Sequence, residues 1–203
     1  CPAARLLSRS GIVAVGIVDH NRVDLSNIHR QSLYNEKDLK KSKVEIAKKR
    51  LNEINSKTKI NIFNYKLDKK KFKKIIKNYD YIIDGTDNFE SKFLINDLSL
   101  KHKKILITGA INKFDGHIFS FDFKKKNGPC LRDFYQEEFI TNDILNCEYE
   151  GILGTVAGIV GTMLANEVLK KILKLGKNLN GFIVIIDLLN LSLRKVKINK
   201  RIK

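Results

Sequence analysis

IVAVGIVD (residues 12–19) followed closely by DLSNIHRQ (residues 24–31) is the stretch whose reading decides the fold. The first segment is a short apolar run of strand type that ends on a carboxylate, Asp19. The second places an Asn, a His, an Arg and a Gln within five residues, straight after that strand. A turn needs only a residue such as Gly or Asn, so this loop carries more polar function than chain reversal requires.

Working outward, PAARLLSRS (2–10) has Pro2 suited to a first helical turn and leads through Gly11 into the strand. Downstream, Ser42-Lys43-Val44-Glu45 has capping-box spacing ahead of an amphipathic helix with Val44, Ala47, Leu51 and Ile54 on one side. TKINIFNYKL (58–67) alternates as a strand, and a lysine-rich helix follows near 69–77. YDYIID (79–84) is a buried-strand candidate and NFESKFLINDLSL (88–100) a helix. KILITGA (104–110) and GHIFSFDF (116–123) read as strands, then a loop over 124–150 holds two of the cysteines. A helix over 153–174 and strands FIVIID (182–187) and LSLRKVKI (191–198) complete the series.

Strands alternating with helices predict a single α/β domain over 1–203, Rossmann-like and doubly wound, its sheet mainly parallel with antiparallel late strands. Such folds normally open with a strand whose glycine-rich turn holds a pyrophosphate at the next helix. Asp19 sits where they place a ribose-binding carboxylate, which puts the glycine turn just upstream of Cys1. The expectation is an N-terminally incomplete sequence.

Composition narrows the classes. No run reaches the roughly 20 apolar residues of a membrane span; the most apolar stretch, Ile152 to Ala165, is shorter. Cys1, Cys130 and Cys147 form no paired framework, so a soluble, cytoplasmic protein is expected. The net charge of +17 comes from lysines spread through KKKFKKIIK (69–77), KHKK (101–104), KKK (124–126) and the C-terminal tail. Aromatics do not interleave with them as a base-stacking surface requires, so they are read as solvated faces and nucleic acid is not the expected partner.

DYIIDGTDN (80–88) ends a strand with Asp87 and Asn88 beside a helix start, outside a strand's carboxyl end where such sheets bind ligands. A carboxylate there can hold Mg²⁺ on a nucleotide; the competing reading is that Thr86 or Asp87 simply caps the helix. Cys147 is either a small buried hydrophobe or a reactive thiol. Gly151, Gly154, Gly158 and Gly161 follow a loop rather than a strand, so they are read as close-packing positions on a helix.

Asp19 with DLSNIHRQ, KSKVEIAKKRLNEIN (41–55), DGTDN (84–88), GAINKFDGHI (109–118) and CEYEGILGTVAGIVGTMLANEVLK (147–170) resemble, in order and spacing, the ThiF/MoeB/HesA adenylyltransferases, relatives of ubiquitin-activating enzymes. The resemblance implies use of ATP and Mg²⁺ to adenylate the C-terminal glycine of a ubiquitin-like sulfur-carrier protein in molybdopterin or thiamine biosynthesis. It implies a homodimer, and a sulfurtransferase or cysteine desulfurase as a further partner. It implies that Asp19 binds ribose, that Ser26, Asn27 and Arg30 contact phosphates, that Lys43 neutralises them, and that Asp87 holds Mg²⁺ with Asn88 alongside. Cys147 falls where some members keep a cysteine that links covalently to the carrier. His29 is given a packing or hydrogen-bonding role, since a carboxylate nucleophile needs no base.

The pattern departs from the family at the zinc site, where many members use two Cys-x-x-Cys pairs. Pro129-Cys130-Leu131-Arg132-Asp133 has Asp for the second cysteine, so too few ligands remain for structural zinc and none is expected. Two other readings stand beside the enzyme: a domain that binds a ubiquitin-like protein without turnover, and a tRNA-modifying dehydratase of the same superfamily. A nicotinamide-dependent dehydrogenase gives Ser26–Gln31 nothing to do.

Overall fold

The structure, a computed structural model, describes residues 1–135 and 152–201. Helix α1 (Pro2–Arg9) leads into strand β1 (Ala14–Val18), and the loop that follows carries a short helix, α2 (Leu25–Ile28), and a 3₁₀ turn at Glu36–Asp38. Then come α3 (Lys43–Ile54), β2 (Lys59–Phe63), α4 (Lys69–Ile76), β3 (Tyr81–Asp84), α5 (Phe89–Lys101), β4 (Ile105–Asn112) and β5 (Asp115–Asp122). The chain continues through a four-residue helix, α6 (Leu131–Phe134), to α7 (Gly154–Leu173), β6 (Phe182–Asp187) and β7 (Ser192–Lys197).

β1 and β2 pair in parallel as a two-stranded sheet, and a second sheet runs β3-β4-β5-β6-β7. β3 and β4 are parallel, while β4 through β7 pair antiparallel, so the parallel pairings come early and the antiparallel ones late, as the element order predicts. The expected mainly parallel sheet is instead a parallel pair beside a mixed sheet in which antiparallel pairings prevail, because β4 to β7 follow one another without a parallel crossover. Side chains alternate across the second sheet with the strand period of two. Leu106, Phe119, Phe121 and Ile183 face one core with Phe72 of α4 and Phe93 of α5. Ile105, Ile107, Ile118, Val184 and Ile186 face the other, with Leu7 of α1 and Val156, Val160 and Leu164 of α7. Helices therefore cover both faces, as expected for a doubly wound α/β fold. A third cluster, Leu33, Ala47, Leu51 and Ile60, seats α3 on β2. Two glycines let α7 lie close to the sheet: a Cβ on Gly116 would stand 2.4 Å from Val160 Cγ2, and one on Gly109 3.0 Å from Val160 Cγ1.

Three local expectations change. Ser42 is the N-cap of α3 by position, but its side chain makes no cap; its hydroxyl accepts from Asn64 Nδ2 instead, so the predicted capping box does not form. Capping boxes appear at Asn35/Asp38 and at Cys130/Asp133. The second of these winds α6 inside the segment expected to be a loop, with Leu131 fully buried. Of the glycines of α7, Gly154 and Gly161 do meet close neighbours, the His29 carbonyl and Pro2, whereas Gly158 faces open space; Gly151 lies outside the described residues. No described helix is long and apolar enough to cross a membrane.

Candidate active site

The loop after β1 is built by its own polar residues. Asp24 caps α2 by accepting from Ser26 N–H at 2.9 Å, and the Ser26 hydroxyl and N–H together hold its carboxyl below the usual range. The Asn27 carbonyl accepts from Arg30 N–H and Gln31 N–H at 3.1 and 2.9 Å, which closes the turn and leaves Asn27 buried. Arg30 Nη1 donates to the Ser26 carbonyl at 2.6 Å, while its second amino group makes no hydrogen bond among the described residues. Half of the guanidinium fork therefore stays available for an anion. Gln31 Oε1 is buried with no partner among the described residues.

His29 takes the hydrogen-bonding role expected of it. Its Nε2 donates to the Ile152 carbonyl at 2.9 Å, and its own carbonyl lies where a Cβ on Gly154 would come within 2.1 Å. These two contacts clamp the loop to the first turn of α7.

Asp19 continues the β1 ladder by one bond, Asp19 N to Phe63 O, and its Oδ1 accepts from Asn21 N–H at 2.8 Å. Lys43, the first residue of α3, is only 6% exposed, and no carboxylate lies within ion-pair distance of it among the described residues. Its backbone N–H donates to the Asn21 carbonyl at 3.1 Å and its charge acts on Asp24, which places it beside the segment that leads from β1 into the polar loop. Tyr34 O–H donates to the Lys43 carbonyl at 3.2 Å, and burial pushes that phenol up, so it stays a donor. The stem of Lys43 is therefore enclosed by the fold while its ammonium keeps no carboxylate partner among the described residues, an arrangement that leaves the charge available to a negatively charged group.

The second group lies at the end of β3. Asn88 is the N-cap of α5, accepting from Ser91 N–H at 2.8 Å, so neither Thr86 nor Asp87 caps the helix. Asn88 Nδ2 donates to Asp87 Oδ1 at 3.2 Å, and Asp87 is otherwise exposed. Asn88 thus spends its oxygen on the helix and offers a ligand at most its amide nitrogen, which narrows the role the resemblance gives it. A solvent-facing carboxylate beside a strand's carboxyl end fits a magnesium ion that completes its shell with water and phosphate oxygens.

Hydrogen bonds join Ser26, Asn27 and Arg30 in one loop, with Asp19 before it at the end of β1 and Lys43 after it at the start of α3. Asp87 and Asn88 form a separate pair, and among the described residues no hydrogen bond or ion pair joins it to the others. Cys147 lies outside the described residues. At the position of the family's zinc loop, Asp133 accepts from Cys130 N–H at 2.7 Å and from Arg201 N–H at 3.0 Å, so both its oxygens serve the backbone. Burial pushes the Cys130 thiol up, away from the thiolate that zinc requires.

Sequence reasoning missed one feature here, the buried pair of Asp84 and Lys92 beneath the Asp87 loop. The signal was present: Lys92 shares the inward side of α5 with Phe93 and Asn96, a place where an unpaired lysine is not tolerated.

A family model, "ThiF family", matches residues 1–203. The chain is 39% identical over 192 residues to the "probable molybdopterin-synthase adenylyltransferase" of the alga Gracilaria tenuistipitata var. liui, covering 95% of this chain and 53% of the algal protein. It is 32% identical to the "sulfur carrier protein adenylyltransferase" of Thermus thermophilus, covering 98% of this chain and 74% of that one. The first curated relatives it matches are about twice its length, since it spans 53% and 51% of them. Among solved structures, E. coli MccB with ATP superposes with a TM-score of 0.83 over 98% of this chain and 60% of that chain at 18% identity, a likeness of fold. Motif order, fold and a family match along residues 1–203 agree, and the chain belongs to the ThiF family.

Proposed function

We propose that this chain forms the nucleotide site of an ATP-dependent adenylyltransferase whose acceptor is the C-terminal glycine carboxylate of a ubiquitin-like sulfur-carrier protein. The observation that carries this reading is Lys43: a lysine with a buried stem and no carboxylate partner among the described residues, next to a polar loop in which half an arginine fork is unused. A nucleoside triphosphate answers each of these features at once. Its ribose hydroxyls suit the Asp19 carboxylate, and its phosphates suit Arg30 as a fork and Lys43 as a point charge.

In the reaction, a carboxylate oxygen of the carrier attacks the α-phosphorus, the bond from that phosphorus to the bridging oxygen breaks, and pyrophosphate leaves with the electron pair. The product is an acyl-adenylate. Two anions approach and charge grows on the leaving group, so fixed cations aimed at the phosphates stabilise the transition state more than the ground state. Arg30, on a loop clamped by His29, and Lys43, fixed by burial, are positioned in advance of the reaction. Asp87 would hold Mg²⁺, which would supply further positive charge to offset the negative charge growing on the leaving pyrophosphate. No acid or base is needed, because the nucleophile is already ionised at neutral pH.

The names of the algal and Thermus relatives favour a sulfur carrier, and the algal name favours molybdopterin over thiamine biosynthesis. A homodimer in the cytoplasm, with Cys147 as a covalent relay for sulfur, completes the reading. The test is ATP–pyrophosphate exchange by the protein expressed from its complete reading frame, with candidate Gly-Gly-ended carriers and with Arg30→Ala. Carrier-dependent exchange that the variant loses is expected. Failure of every carrier to support exchange, together with steeply salt-dependent tRNA binding, overturns it in favour of the tRNA-modifying reading. Sulfur transfer undiminished in Cys147→Ala removes the covalent relay.

A further inference from the structure

We propose that the buried Asp84–Lys92 pair, braced by Thr86 and Thr108, is a positioning device that fixes the Gly85–Asn88 loop and so sets where the Asp87 carboxylate meets a nucleotide-bound divalent cation. The proposal rests on the reading of this site as a nucleotide site.

Asp84 is the last residue of β3, and its side chain is 0% exposed. It accepts four hydrogen bonds. Oδ1 takes Thr86 N–H at 2.8 Å and the Thr86 hydroxyl at 2.7 Å; Oδ2 takes Lys92 Nζ at 3.1 Å and the hydroxyl of Thr108, its register partner on β4. Lys92, on α5 and 5% exposed, also donates to the Gly109 carbonyl at 2.6 Å. One carboxylate therefore ties together β3, β4, α5 and the loop that leaves β3.

The consequences fall on three residues. Gly85, Thr86 and Asp87 are all that separate β3 from the N-cap of α5. The Asp84 carboxylate pins the start of this loop through Thr86, and Asn88 pins its end through Ser91 N–H. Asp87 is left exposed between two fixed points, with Asn88 Nδ2 as its hydrogen-bond partner.

Stability alone does not ask for this arrangement. Taking two charges out of water offsets most of their attraction, and well-packed apolar residues commonly hold a core as well. An apolar pair, however, cannot receive the Thr86 N–H and hydroxyl, and without those bonds the loop's backbone has no fixed direction at its start. Groups that orient a metal ligand without touching the metal change metal affinity by about 10- to 100-fold when removed. Asp84 and Lys92 reach Asp87 one link further away, through Thr86 and the loop backbone, so the low end of that range applies.

The experiment is calorimetric titration of the protein from its complete reading frame with a non-hydrolysable ATP analogue over a range of Mg²⁺ concentrations, with thermal melts alongside. Lys92→Met and Thr108→Val are compared with Lys92→Arg. We expect Lys92→Met to raise the Mg²⁺ concentration needed for half-maximal binding by about 10-fold, leaving Mg²⁺-free binding of the analogue within about twofold. Thr108→Val should move it in the same direction by roughly threefold, since one of four bonds is lost, and Lys92→Arg should restore the parent value. If Lys92→Met does not fold, Thr108→Val and Lys92→Arg decide between a positioning and a purely structural role. A lowered melting temperature with unchanged Mg²⁺ dependence in the folded variants overturns the proposal and makes the pair a fold element only. A parent protein that binds no analogue at any Mg²⁺ concentration removes the nucleotide reading and the proposal together.

Discussion

Two lysines of this chain are buried to nearly the same degree, Lys43 at 6% and Lys92 at 5%, and they have opposite surroundings. Lys92 donates to a carboxylate and a carbonyl at hydrogen-bond distance. Lys43 has no carboxylate within reach among the described residues, although its charge is felt by Asp24. Burial by itself therefore does not separate a structural cation from a binding one; the partner does. A lysine whose ammonium is held by the fold can act only by positioning other groups, and one whose ammonium is left without a carboxylate can meet a ligand directly.

That contrast can be broken by experiment. Lys92→Met strands Asp84 in the core and is expected to cost about 3–5 kcal/mol of unfolding free energy in a denaturant titration. Lys43→Met removes a charge with nothing to strand, so the melting temperature should hold while pyrophosphate exchange falls by roughly 10²–10³-fold, the scale for losing one preorganised charge on a transition state. If both variants lose stability alike, Lys43 is a structural residue and the comparison fails.

Two smaller effects sharpen it. In Gly154→Ala the new methyl meets the His29 carbonyl, a backbone atom that moves only with its loop. Overpacking of this kind costs typically about 1–3 kcal/mol, and here the displaced part carries Arg30. The expected readout is a raised KM for ATP; an unchanged KM would show that α7 gives way instead. The smallest effect concerns His117, half-buried on β5 and hydrogen-bonded to the Tyr135 hydroxyl at 3.1 Å. Burial lowers its pKa below 6.5, against an opposing pull from Asp115. The unfolded chain then binds the proton more readily, so this contribution to stability is full above pH 6.5 and is lost as the pH falls through the folded value. His117→Gln should flatten the acid side of the stability curve slightly relative to the parent, and an identical slope would show that His117 stays uncharged or solvated in both states.

The order of strands and helices was legible because hydrophobic period carries it: alternation in 58–67 and the spaced Val44, Ala47, Leu51 and Ile54 each matched one element. Local capping was less legible. Ser42 has the spacing of a capping residue, but Asn64, distant in sequence, donates to its hydroxyl. α6 is too short for any period to mark it and exists because Asp133 bonds the Cys130 N–H while Leu131 is buried. In the site, residue types at strand ends pointed to Asp19, Arg30 and Asp87, but they could not say that Asn88 rather than Asp87 caps α5.

By itself the sequence determined what is written in near neighbours: the periods of the elements, the polar loop after β1 and the carboxylates at strand ends, because these depend on spacings of a few residues. Only the tertiary structure decided which polar groups are already paired. Asp84 meets Lys92 and Thr108 across three elements, His29 meets Ile152 across 123 residues, and the stem of Lys43 is enclosed with no carboxylate partner among the described residues. Whether a buried polar group is satisfied depends on what the fold brings within about 3 Å of it, and no local pattern in the chain records that distance.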